Sequence, residues 1–160
     1  MANSFIDREF LLWLYWQISE DGRFELDDYG IEPVAISIEG QINLSSIIGE
    51  GFSQSIKSAD LDENRDVLDA VKAGRIPDSM KLRVIQGQFE WVFTLSSNPL
   101  SLKSVKLPIA AEKEEQDIIQ FRIDSITMLE NILKALVGSF VLAWDNQATR
   151  ADLKQFLAQN

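Results

Sequence analysis

Six basic residues fall between positions 72 and 106: Lys72, Arg75, Lys81, Arg83, Lys103 and Lys106. Residues 70–108 contain only two acids, Asp78 and Glu90, so this third nets +4 in a chain that nets −10. The stretches on either side net −11 and −3. Lys and Arg gathered without base-reading neighbours act on nucleic acid as charges that contact phosphate. Such binding is indifferent to sequence and falls steeply with salt. The competing reading is that these side chains only solubilise one face of a sheet.

Other chemistry is narrowed by what the chain lacks. With no cysteine and no histidine, thiolate nucleophiles, imidazole bases, Ser-His-Asp triads and the usual zinc ligand sets are excluded. A metal site would be all-oxygen and would suit Mg²⁺ or Ca²⁺. The acidic concentration with a conceivable metal spacing is Asp60, Asp62, Glu63, Asp66 and Asp69. Asp62 and Asp66 stand one helical turn apart, but acids at a helix N-terminus are ordinarily a solvated face that suits the dipole. Gly49 and Gly51 are not followed by Lys-Ser/Thr, so no phosphate loop is read there. No Ser-x-x-Lys motif or nucleophile elbow is present. The expectation is a non-enzymatic protein with no catalytic residues, no metal site and no cofactor.

These residues need elements to hold them. Apolar–polar alternation predicts a short strand at Phe24–Leu26 and a hairpin of Val34–Ile38 with Ile42–Leu44, turning at Glu39-Gly40. Residues 45–58 read as loop. A helix is expected over about 60–73, stopped by Gly74, with Leu61, Val67, Leu68 and Val71 inward. A second hairpin follows, with Met80, Leu82 and Val84 facing away from Lys81 and Arg83, and Phe89, Trp91, Phe93 and Leu95 on the return strand. Its aromatic residues read as core rather than as platforms for stacked bases. Leu100–Leu107 adds an edge segment. From about residue 110 to Trp144 the pattern is helical, with Ile119, Ile126, Leu133 and Phe140 at seven-residue spacing forming a covered stripe. A last short helix runs over about 149–158.

Helices separated by antiparallel hairpins indicate an α+β fold. The expected architecture is a sheet of antiparallel hairpins covered by an N-terminal aromatic helix and a long C-terminal helix. One domain over 1–160 accounts for the length, with 109–160 as its helical C-terminal region.

The first helix carries Phe10-Leu11-Leu12-Trp13-Leu14-Tyr15-Trp16, seven large apolar or aromatic side chains in a row. A helix apolar all round is either buried on several sides or docked on a partner. Phe10, Trp13 and Trp16 are therefore candidate interface residues toward a second copy or a partner chain. The run is too short to span a bilayer, which takes about 20 apolar residues. No basic region of a signal peptide precedes it. Cytoplasmic residence without membrane association is expected.

Three stretches resemble the C-terminal half of the recombination-associated RdgC proteins. They are Arg8-Glu9-Phe10-Leu11-Leu12-Trp13-Leu14-Tyr15-Trp16; the passage Ala59-Asp60-Leu61-Asp62-Glu63, Val71-Lys72-Ala73-Gly74-Arg75, Lys81-Leu82-Arg83-Val84; and Phe89-Glu90-Trp91-Val92-Phe93-Thr94-Leu95 with Leu102-Lys103-Ser104-Val105-Lys106-Leu107-Pro108. The likeness covers about residues 5–110. It implies a non-enzymatic domain that contacts duplex DNA without sequence preference, or assembles with a partner that does, in the setting of DNA recombination. It also implies that Lys72, Arg75, Lys81 and Arg83 lie in a basic, DNA-facing region of a dimer. The alternative expectation is a protein-interaction or oligomerisation module that binds no nucleic acid.

Overall fold

The protein is described by a computed structural model covering residues 4–46, 53–57, 65–97, 99–111 and 114–158. The fold is α+β. In chain order the elements are α1 (Ser4–Glu20), β1 (Arg23–Leu26), a single 3-10 turn (Asp27–Tyr29), β2 (Ile31–Ser46), β3 (Ser53–Lys57), α2 (Arg65–Lys72), β4 (Arg75–Gln86), β5 (Phe89–Ser96), β6 (Ser101–Lys106), α3 (Glu115–Trp144) and α4 (Gln147–Ala158). The six strands form one antiparallel sheet, ordered β1-β2-β4-β5-β6, with β3 also on β2.

β2 sets the layout. Its first part pairs with β1 and its last part with β3, while β4 runs along the other edge from Ala35 to Ser46. The expected hairpin at Glu39-Gly40 is therefore not formed. Gly40, at φ 78°, sits inside one 16-residue strand. Ile38 pairs with Leu82 and Ile42 with Met80, so the three residues 39–41 oppose Lys81 alone. Turn chemistry has been used for a bulge, which absorbs extra residues while Ile38 and Ile42 both stay inward. Residues 53–57, expected as loop, are β3. Its one apolar side chain, Ile56, gave too little alternation to mark a strand. The second hairpin forms as expected: Gln86 pairs with Phe89 around Gly87-Gln88, with Gly87 at φ 58°. The described part of the expected 60–73 helix is α2, Arg65–Lys72. Asp60, Asp62 and Glu63 lie outside the described residues, and Asp66 and Asp69 are exposed.

α1 lies between the sheet and the C-terminal helices, which explains its apolar circumference. Phe10, Leu11, Trp13, Leu14, Tyr15, Trp16 and Ile18 are all buried. Phe10 packs edge-on against Phe140 with centroids 5.5 Å apart, Trp13 meets Phe24 and Phe140, and Trp16 meets Phe156. The structure thus corrects the reading of Phe10, Trp13 and Trp16 as interface: their exposures are 2%, 5% and 8%, and their partners belong to the same chain. Val34, Ile36, Met80, Leu82, Val84, Trp91, Phe93 and Leu95 supply the sheet's side of this core. Trp91 and Phe93 are core, at 0% and 1% exposure, and the Trp91 indole N–H donates to the Ser125 carbonyl of α3 at 3.0 Å.

α3 begins at Glu115 rather than near residue 110, and its stripe departs from the expected pattern. Along the seven-residue series, Phe140 is buried and Leu133 partly buried, but Ile126 and Ile119 are 46% and 50% exposed. A straight helix drifts by about 20° per heptad. Three heptads turn the stripe out of the core before it reaches the helix start.

Candidate functional site: the open face of the sheet

All helices whose buried residues join the core lie on one side of the sheet. The opposite side carries the alternate residues. Strand register decides which cations meet there, because residues paired across strands share a face.

Lys81 pairs with Thr94, and Thr94 with Lys103. Arg83 pairs with Val92, and Val92 with Lys106. Two rows thus cross β4, β5 and β6, and each ends in cations two strands apart, about 10 Å between backbones. Lys103 and Lys106 are three residues apart and would face opposite ways on a regular strand. They share a face because β6 is bulged: three residues, 104–106, follow Lys103 where β5 spends two, and Ser104 takes φ 54°. A non-glycine residue in the left-handed region is uncommon and costs backbone energy. Here it places a second lysine on the open face.

The rows are bordered by small polar side chains. Ser55, Asn43, Ser79, Ser96 and Ser101 pair in sequence across five strands. The Asn43 amide donates to the Ser79 hydroxyl at 2.7 Å. Beyond the bulge of β2, Gln41 pairs with Lys57 of β3. Lys57 is exposed and extends the cationic band to the far side of the sheet. Sequence reading missed it because it lay in an apparent loop.

Arg83 differs from the lysines. Its guanidinium grips Glu39 by two hydrogen bonds, Nε to Oε2 at 3.0 Å and Nη2 to Oε1 at 2.7 Å, and its Nη1 also donates to Glu90. Hydrogen bonding from Arg83 holds the Glu39 carboxyl below the ordinary glutamate value, against a smaller opposing effect of burial, with Lys81 adding to the attraction. Arg83 is therefore matched by two carboxylates, and the face's net positive charge comes from Lys81, Lys103, Lys106 and Lys57.

Lys72 and Arg75 do not join this group. Lys72 ends α2 and Arg75 begins β4, six strand positions from Lys81, about 20 Å at the usual rise. Of the six candidate cations the fold gathers four, three of them without, among the described residues, an ion-pair partner of the kind that holds Arg83.

Among the described residues no group of three acidic side chains is placed to hold a metal ion. No protein-family model matches the chain, and no curated protein is significantly similar to it.

Proposed function

We propose that the chain is a non-enzymatic binding domain that contacts the phosphate backbone of duplex DNA, without sequence preference, through the open face of its sheet. The observation that carries this reading is the cross-strand register that places Lys81, Lys103 and Lys106 on one face. Duplex DNA carries one charge per about 1.7 Å of axis, so a band of lysines about 10 Å wide meets several phosphates at once. Lysine acts there as a point charge, and the neighbouring Ser and Thr hydroxyls hydrogen-bond phosphate oxygens equally well on any sequence. Trp91 and Phe93 are buried and offer no surface for base stacking, which favours backbone contact with a duplex over capture of single strands. The sequence resemblance to RdgC proteins supports the same reading, with DNA recombination as the setting it suggests. The acidic remainder of the molecule limits affinity and confines contact to this face.

The test is fluorescence anisotropy with a random-sequence duplex over a salt series. Binding is expected at low salt with a log–log slope of about −3, for roughly three phosphates neutralised. The triple variant Lys81→Gln/Lys103→Gln/Lys106→Gln should lose binding while keeping its fold. No binding by the native chain at high micromolar concentration and low salt, or equal binding by the triple variant, would overturn the reading.

A further inference from the structure

α3 has two faces of different fate. Ser125, Leu129, Ile132, Leu136 and Phe140 are buried against the core. Roughly a third of the way round the helix, Ile119, Ile123 and Ile126 are 50%, 51% and 46% exposed. At 3.6 residues per turn these three fall within about 60° of one another. Next to them, Val105, Leu107, Pro108, Ile109, Ile118 and one cation, Arg122, line a groove of about 490 Å³, with Ile109 95% exposed. Isoleucines spaced by four and three are what one helix shows another. By length and composition α3 is also the one helix among the described residues apolar enough to cross a bilayer, and only 28% of its most apolar window is buried.

The charges along this stripe select its occupant. Glu115 lies four residues before Ile119, Glu130 four after Ile126, and Lys134 four after that. An anionic membrane surface would attract Arg122 and Lys134 but meet Glu115 and Glu130 on the same seating face. A partner of uniform charge would meet its own sign at one end. An antiparallel second α3 avoids both. With Ile123 set against Ile126 of the second copy, Lys134 comes opposite Glu115 of that copy, once at each end. Pairing through the sheet edge instead is opposed by β6, which carries Lys103, Lys106 and the Ser104 bulge, all features that blunt an edge.

We infer that two copies of the chain pair antiparallel along the N-terminal half of α3, with Ile119, Ile123 and Ile126 as the seam and Glu115–Lys134 contacts closing each end. This is a self-complementary, two-fold interface. It involves none of the residues of the open sheet face and stands independently of the DNA reading. The seam is short compared with standard interfaces, so the dimer dissociates on dilution.

Sedimentation velocity of the full chain without DNA, up to about 500 μM, tests this by mass action. The mass should rise with concentration from 18.1 kDa toward twice that value. Ile123→Glu should weaken association about tenfold or more, because it puts a charge in an apolar seam. Its thermal melt should stay near that of the native chain, since the side chain is half exposed. Glu115→Lys should also weaken association, and Glu115→Lys with Lys134→Glu should restore it. A monomer at every concentration, an undiminished dimer in Ile123→Glu, or a monomeric chain that binds phosphatidylserine vesicles through this stripe would each overturn the inference.

Discussion

Arg83 holds Glu39 in a two-point grip across the β4–β2 pair, with Nε–Oε2 at 3.0 Å and Nη2–Oε1 at 2.7 Å. The contact spans 44 residues of sequence and sits at the bulge of β2. It ties the irregular part of the longest strand to its neighbour, and it fixes the charge of the open face by removing one cation from those free to meet a ligand.

The grip makes stability depend on acid pH. Glu39's folded pKa lies below the glutamate value of 4.5, with the Arg83 hydrogen bonds as the largest cause. A depressed carboxylate adds stability above the unfolded pKa and loses it as pH falls through the folded one. Glu39→Gln should therefore melt a little below the native chain at pH 7. The two curves should converge as the pH drops below about 4.5. Calorimetric melts between pH 7 and pH 3 measure this, and a gap that widens toward low pH would contradict the assigned cause.

The same substitution should act in the opposite direction on binding. Glu39→Gln removes a negative charge from the open face and loosens Arg83, so DNA affinity should rise and the salt slope steepen by about one unit. Lys103→Gln alone should make the slope shallower by a similar amount, and Arg75→Gln, about 20 Å along the strand, should change it little. Anisotropy titrations over the same salt range compare all three.

How far the sequence discloses this arrangement can be read from individual residues. Strict alternation over Met80–Val84 and Phe89–Leu95 marks the second hairpin, because each strand buries one face and wets the other. The same period places Lys81 and Arg83 outward. Gly40 is a turn residue in composition alone; only the tertiary pairing of β2 with β3 and β4 makes it a bulge. Lys106 shares a face with Lys103 through a left-handed Ser104, a conformation that serine does not advertise. Lys57 lies in a strand with one apolar residue. Glu39 and Arg83 are 44 residues apart, so their pairing, and with it the true charge of the site, depends on register alone. For α1, local sequence shows that all sides are covered; whether the cover is its own chain or another follows from where the C-terminal helices pack.

Gly22 should be the least replaceable residue near the start of the fold. It closes α1 by donating its N–H to the Gln17 carbonyl at 3.2 Å, and its carbonyl accepts the Ile36 N–H at 2.7 Å. Its φ is +69°, and an added Cβ would stand 2.6 Å from the Ile36 carbonyl oxygen. That neighbour is backbone in the middle of β2 and cannot swing aside. Gly22→Ala combines left-handed strain with a hard contact and should cost about 2 kcal/mol or more. Gly87→Ala is the control: its φ is +58°, but no atom stands within 4 Å of the added Cβ, so it should lose only about 1–2 kcal/mol. Denaturant melts that ranked Gly87→Ala as the more damaging would refute the argument.

Trp91 separates folding from binding. Its ring is fully buried on the inner face, next in β5 to Val92 of the outward Arg83–Val92–Lys106 row; its indole N–H bonds to the Ser125 carbonyl of α3, and Phe89 stacks beside it with centroids 6.1 Å apart. Trp91→Phe leaves most of the volume filled but abandons a buried carbonyl partner and opens a small cavity. The expected cost is about 1–3 kcal/mol. The lysine rows keep their register in a variant that still folds, so its DNA salt slope should match the native slope of about −3. Lys103→Gln should show the converse, a native melt with a reduced slope. Measuring melts and salt slopes on both variants tests the division of labour between the two faces of the sheet. If Trp91→Phe lost binding at a temperature where it is fully folded, the indole would have to act on the ligand, and the placement of contact on the outward face would be wrong.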